Sequence, residues 1–147
     1  MRRIREESVL ADSFLFTWGD GNDGKLGHQS EESLFVPYNV TILQRMRIKS
    51  CALGRKHSLF LSAEGTVFAC GNGQYGQLGT GAVLDFRSTP VHVQGLQRVK
   101  QLSAGDYHSV ALLEGGALYA WGSGSWGKLG LATDNNVTAP RVIAALT

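Results

Sequence analysis

Three stretches of this chain have the residue types and spacing of a phosphate-binding turn. Gly19-x-Gly21-x-x-Gly24, Gly71-x-Gly73-x-x-Gly76 and Gly122-x-Gly124-x-x-Gly127 each follow a strand-like apolar run. In a dinucleotide site such glycines let the backbone approach a pyrophosphate, which rests on the N-terminus of the helix that follows. Here the following residues are Leu-Gly and a polar loop, with no helical spacing. The second chemical candidate is His57 with His108. Each is followed by a serine, and Asp106 lies nearby, so a hydrolase triad can be sketched. Both candidates recur along the chain. A catalytic residue need not recur in every copy of a repeat, whereas a packing residue does, so the structural reading outweighs the chemical one for both.

The recurrence is regular. The frame aromatic-x-x-Gly-x-Gly-x-x-Gly-x-Leu-Gly begins at Phe16, Phe68 and Tyr119, and ends at Gly27, Gly79 and Gly130. In phase with it, Gly54-Arg-Lys-His-Ser-Leu-Phe-Leu61 matches Gly105-Asp-Tyr-His-Ser-Val-Ala-Leu112, and prolines fall at Pro37, Pro90 and Pro140. A period near fifty residues points to propellers or arrays before any local assignment is made. Within each period the apolar runs are short, bounded by Gly or Pro, and alternate as strands do. Phe14, Phe16 and Trp18 alternate with Leu15 and Thr17; Thr66 to Cys70 and Ala117 to Trp121 are equivalent. Trp18 and Trp121 repeat and are expected to pack; Cys70 takes their place in the middle copy as a small core residue. Proline suits the first residue of an outer strand. Leu43 to Met46 has room for a single helical turn. Four short strands per period is the pattern of propeller blades.

The chain has 147 residues, 43% hydrophobic and 18% charged, within the globular range. Nineteen glycines exceed average usage, and most sit on the repeat frame, so they read as turn chemistry. A net charge of +2 is too small to argue for nucleic-acid or membrane binding. No apolar run reaches the length of a membrane span. Arg2, Arg3 and Arg5 form a basic start that Glu6 and Glu7 interrupt, which argues against a targeting peptide. Two cysteines, Cys51 and Cys70, form no framework of bridges, which suggests a reducing, intracellular compartment, cytoplasmic or nuclear. Asn39-Val-Thr41 and Asn136-Val-Thr138 match a glycosylation pattern that is common by chance.

With these motifs in view, the chain resembles the regulator of chromosome condensation repeat family. The resemblance rests on Gly-x-x-His-Ser-x-x-Leu, then aromatic-x-Trp-Gly-x-Gly-x-x-Gly-x-Leu-Gly, then Pro, and covers residues 8 to 146. The paired-glycine signature of kelch blades is absent. The resemblance implies an all-β fold with blades of four antiparallel strands, about three blades of a seven-bladed architecture. The expected organisation is one partial propeller domain over residues 1–147, with repeats at about 1–45, 46–97 and 98–147. Residues 1–13 are a partial repeat, in which Ser8-Val-Leu10 aligns with Ser58-Leu-Phe60. An arc of three blades leaves two faces uncovered, so self-assembly or a partner chain is expected to complete it.

The structural set is then Gly19, Gly21, Gly24 and Gly27; Gly71, Gly73, Gly76 and Gly79; Gly122, Gly124, Gly127 and Gly130; with His57 and His108 bonding to neighbouring-blade backbone. His28 and His92 fall off the frame and are expected at the surface. Function is expected where copies disagree. Arg55 and Lys56 in one Gly-x-x-His turn become Asp106 and Tyr107 in the next, on turns expected to ring a central channel. Asp85, Phe86 and Arg87 stand out in a long connection, and Trp126 aligns with Asp23 and Tyr75 at a loop tip. This mosaic suits recognition of a protein surface, with no catalytic residue, cofactor or metal. The resemblance implies a non-catalytic interaction scaffold. It also admits a guanine nucleotide exchange factor for a Ran-like small GTPase, a recognition domain of a ubiquitin ligase, a ciliary or trafficking factor, or a plant ultraviolet receptor. For the last, the tryptophans expected in the Gly-x-x-His turns are replaced by Arg55, Lys56, Asp106 and Tyr107.

Overall fold

The computed structural model describes residues 14–146. The expected strand at Ser8 to Leu10 and the basic start lie outside them. The described residues form ten strands in three antiparallel sheets: β1 (Phe16–Gly19), β2 (Leu34–Asn39), β3 (Ile48–Leu53), β4 (His57–Ser62), β5 (Val67–Gly73), β6 (Leu84–His92), β7 (Val99–Ala104), β8 (His108–Leu113), β9 (Leu118–Gly122) and β10 (Val137–Val142). The second sheet runs β3-β4-β5-β6 and the third β7-β8-β9-β10, each in chain order, while β1 and β2 form a pair. The three sheets are the blades of a propeller arc, two complete and one represented by its last two strands.

Alternation within strands decides which sheet each side chain faces. In β4 and β5, Leu59, Leu61, Val67 and Ala69 share one core with Val93 at the end of β6 and with Val99 and Trp121 of the next sheet. Phe60 and Cys70, one residue out of phase, share the other core with Val40 and Leu43. A strand buried on both faces explains why its sequence reads as a nearly continuous apolar run. Full burial of Leu59 and Phe60 contributes about 1.5–3 kcal/mol each.

The fourth strands depart from expectation. β6 starts at Leu84 and β10 at Val137, inside what reads as polar connection, and the prolines sit within the strands. The reason is positional. A fourth strand has one sheet neighbour, so its outer edge keeps polar side chains and a missing donor costs nothing. Register breaks between Ala69 and Gly71 opposite β6 also leave Pro90 outside the ladder. A 3-10 helix spans Thr41–Met46, longer than the single turn expected. No helix among the described residues is long and apolar enough to cross a membrane.

Candidate functional site

The three Gly-x-Gly-x-x-Gly turns contain no α-helix. Short 3-10 turns cover Asn22–Gly24 and Ser125–Gly127. The third and fourth glycines of the first two frames are places where the next sheet comes against the loop. A Cβ on Gly76 would lie 2.8 Å from Thr138 Cα, and one on Gly79 would lie 2.8 Å from Val93 and from the Trp121 indole nitrogen. Gly76 and Gly79 also hold φ of +84° and +70°, which side chains disfavour. The fingerprint is therefore a docking turn between sheets.

The histidine candidate resolves in the same way. His57 is fully buried, and its Nε2 lies 2.8 Å from Ser109 Oγ, across the joint between the second and third sheets. The Ser109 hydroxyl donates its one proton to the Gln77 carbonyl at 2.8 Å. Ser109 must then accept from His57, which fixes the tautomer as Nε2–H and leaves Nδ1 bare. Nδ1 is buried with no hydrogen-bond partner, so no carboxylate orients the ring as a triad requires. Burial, and then the nearby His108, pulls the His57 pKa down to about 4, so the ring is neutral. A neutral donor against a spent, buried hydroxyl is a clamp. The partner of His57 is a side-chain hydroxyl of the next blade, where backbone was expected, because the loop carbonyl is already claimed by Ser109.

That carbonyl is the centre of a repeated joint. Gln77 O also accepts from the Trp121 indole at 2.9 Å. One blade earlier, Lys25 O accepts from Ser58 Oγ at 2.8 Å and from Cys70 Sγ at 3.3 Å. Burial raises the Cys70 thiol to about 12, consistent with a packing residue. Trp18 holds the same frame position but is 58% exposed, against 0% for Trp121. The expectation that it packs fails for a clear reason: it faces the side on which the described residues supply no preceding sheet. An apolar cavity of about 450 Å³ opens beside β1, lined in part by Leu15, Trp18, Leu53 and Phe60. In the two complete sheets that side of the equivalent strand is held by β4 and β8.

The rim candidates fall into two groups. Lys56 Nζ pairs with Asp23 at 2.9 Å, and Asn72 donates to the same carboxylate at 3.1 Å. The Asp23 carboxyl lies below its ordinary value: burial works to raise it, but the bonds from Lys56 and Asn72 prevail. Tyr107 meets Tyr75 with ring centroids 5.1 Å apart. Lys56 and Tyr107 thus already hold a neighbouring blade. Arg55 and Asp106 are exposed on adjacent turns, 3.8 Å apart. Asp85, Phe86 and Arg87 lie on β6, exposed. Trp126 is 95% exposed, at the position where Asp23 and Tyr75 contact the following blade. His92 is exposed as expected. His28 is not: it is half-buried against Tyr38, with Nε2 2.7 Å from Thr17 Oγ1, and burial lowers its pKa. No signal on the frame marks His28, because the contact is made within one blade.

The sheets, the docking glycines and the carbonyl-centred joints define a class of β-propeller repeat. The model of the regulator of chromosome condensation (RCC1) repeat matches residues 12–61, 64–112 and 115–147. The chain belongs to this family. It is 37% identical over 133 residues to the ultraviolet-B receptor UVR8 of Arabidopsis thaliana, covering 89% of this chain and 30% of the receptor. It is also 37% identical over 139 residues to the human X-linked retinitis pigmentosa GTPase regulator, covering 92% of this chain and 13% of that protein. Against the human E3 ubiquitin-protein ligase HERC2 the identity is 37% over 142 residues, 94% of this chain and 3% of the ligase. Among solved structures, Prp20p of Saccharomyces cerevisiae, described with its binding to Gsp1p and histones, superposes with a TM-score of 0.81 at 25% identity, covering 89% of this chain and 34% of Prp20p. Human WBSCR16 gives 0.72 at 28%, with 86% and 34% covered. The chain spans about a third or less of each of these relatives.

Proposed function

We propose that this chain is a non-catalytic protein-interaction module, whose repeated residues build the blades and whose unrepeated rim side chains choose the partner. The observation that carries this is the linkage His57–Ser109–Gln77. His57 and Ser109, which resemble catalytic machinery, are buried and spent on joining sheets. What is left exposed is a mosaic: Arg55 and Asp106 on the turns, Asp85, Phe86 and Arg87 on β6, and Trp126 at a loop tip. Mixed charge with aromatics is the composition of a protein contact surface. That Prp20p binds Gsp1p and histones supports a protein partner. With both cysteines free, the setting is intracellular, cytoplasmic or nuclear.

A second reading is favoured by the likeness to Prp20p and to a named GTPase regulator: exchange activity toward a small GTPase. A nucleotide-release assay with purified chain and a panel of Ran-like GTPases separates the two. The module reading expects binding without faster release at catalytic concentrations of the chain. Accelerated release at those concentrations overturns it. Alanine at Arg55 and Asp106 together is expected to weaken GTPase binding with the melting temperature unchanged. Adding Lys56→Ala and Tyr107→Ala is expected to lower that temperature, because those two join blades.

A further inference from the structure

Two connections lead from a fourth strand to the first strand of the next sheet, and both keep the same anchors. A buried valine (Val40, Val93) is followed three residues on by a buried leucine (Leu43, Leu96). An arginine in the left-handed region ends each connection, Arg47 at φ +46° and Arg98 at +53°. Its carbonyl accepts from the turn after β4 or β8, from Ala63 N at 2.9 Å and from Glu114 N at 3.0 Å. Between leucine and arginine the two differ. The first has Gln44, Arg45 and Met46, which complete its 3-10 helix, and the second has Gln97 alone. At matching positions, Ile42 of the first joint becomes Gly95 in the second, and Phe68 becomes Tyr119.

The shorter connection borders an open cavity of about 620 Å³ between the second and third sheets, a size that suits a ligand site. Both sheets of this joint have all four strands. Leu96 and Leu113 supply apolar lining, and Thr66, Gln94, Gln97 and Tyr119 supply polar lining. The Gln97 amide and the hydroxyls of Thr66 and Tyr119 have no hydrogen-bond partner among the described residues. Gln94 bonds to His92 at 3.2 Å. Two charges also line the cavity, and both are already met: Glu64 by Arg47 at 3.2 Å, and Arg98 by Glu114 at 2.7 Å.

We propose that this cavity binds a short, uncharged, extended peptide segment of a partner protein, rich in Asn, Gln, Ser or Thr. A carboxamide carries both donors and an acceptor, as a peptide unit does, so Gln94 and Gln97 pair a backbone in both senses. The segment is extended because a helical backbone has already spent its own donors and acceptors. It is uncharged because Glu64 and Arg98 are occupied, so an ionic side chain would lose water and gain no free counter-charge. The site is separate from the rim. Arg55 and Lys56 precede β4 and the Ala63–Gly65 turn follows it, so six residues, about 20 Å of strand, lie between. The proposal therefore does not rest on the rim surface, and one chain has room for a partner segment at each edge of its blades.

The test is to pan a phage library of random heptapeptides on the immobilised chain, and then to titrate the selected peptides, made synthetically, into isotope-labelled protein. The selected peptides are expected to be uncharged and to shift the side-chain amide resonances of Gln94 and Gln97. Their affinity is expected to change less than about twofold between about 50 and about 500 mM salt. Replacing Gln97 with the Gln-Arg-Met of the first connection fills the cavity, and is expected to abolish binding with the melting temperature unchanged. Should that variant fail to fold, Gln97→Leu, which loses the amide and keeps its bulk, is expected to weaken binding about tenfold. Arg55→Ala with Asp106→Ala is expected to leave peptide affinity as it was. A library that yields no binder overturns the proposal. So do charged peptides that salt releases, or peptides that the filled variant binds equally well. Shifts centred on Arg55 and Asp106 in place of Gln97 also overturn it, and count for the rim alone.

Discussion

Trp121→Ala and Trp18→Ala are the same substitution at the same frame position, and the structure assigns them very different costs. Trp121 is fully buried between two sheets, touches the Gly79 turn, and donates to Gln77 O. Removing its ring leaves a cavity the rigid joint cannot close, and truncations of this kind cost about 3–5 kcal/mol. That is a large part of the ~5–15 kcal/mol that holds a domain folded. Trp18 is 58% exposed, so its removal at high dilution is expected to cost under about 1 kcal/mol. The indole bond separates from the ring through Trp121→Phe. Ser109 still donates to Gln77 O, so that carbonyl is not orphaned, and the loss stays near 1–2 kcal/mol. Urea unfolding followed by circular dichroism at low micromolar protein reads all three as midpoint shifts at constant slope. Equal shifts for Trp121→Ala and Trp18→Ala would refute the claim that the neighbouring sheet, and not the frame, sets the value of the position.

Three further outcomes follow from the same joints. The folded pKa of His57 lies near 4, below the ordinary 6.5. The unfolded chain therefore binds more protons in that window, and stability falls as pH drops from about 6.5 to 4, by roughly 3 kcal/mol. His57→Gln is expected to flatten this part of the pH dependence of the urea midpoint, and an unchanged slope contradicts the clamp. Toward a thiol reagent at pH 8, exposed Cys51 is expected to react in the folded state and Cys70, raised to about 12, only on unfolding; two equally fast thiols contradict the packing. Gly71→Ala meets a φ of +108° and a Cβ 2.6 Å from His57 Cα, whereas Gly95→Ala, with φ +81°, meets open space. The first is expected to lower the melting temperature by several degrees more than the second, and equal losses would leave only backbone strain as the cause.

The sequence reveals whatever repeats. The blades, the docking glycines and the buried, blade-joining place of His57 were legible because each belongs to a frame that returns every period. Three things were not. The start of β6 at Leu84 is invisible because one edge and both flanks of a fourth strand tolerate polar residues. The exposure of Trp18 depends on which sheets surround it, and a frame position carries no record of its neighbours. Ser109 as the acceptor for His57 lies fifty-two positions away. One cue did exist: Ser follows His in both copies, and the serine of each copy is placed to meet the previous blade.

Difference between copies turns out to have two physical origins. Asp23 gives way to Tyr75 at the loop tip, and Lys56 gives way to Tyr107 on the facing turn. The structure shows that these changes belong together, an ion pair in one joint and a ring pair in the next. Such a joint needs complementarity and no particular residue, so both sides vary freely as long as they vary as a pair. Charge pairs and ring pairs also reject each other, since an Asp23-type carboxylate opposite a tyrosine ring loses its cation and faces a negative π surface. Each joint thereby selects which blade follows which. Variation at Arg55, Asp106 and β6 has no facing position of this kind beyond one exposed contact at 3.8 Å. The two sources of variation are separable by a charge swap: Asp23→Lys with Lys56→Asp is expected to restore the stability that either change alone removes. Arg55→Asp with Asp106→Arg is expected to leave stability unmoved and alter binding alone.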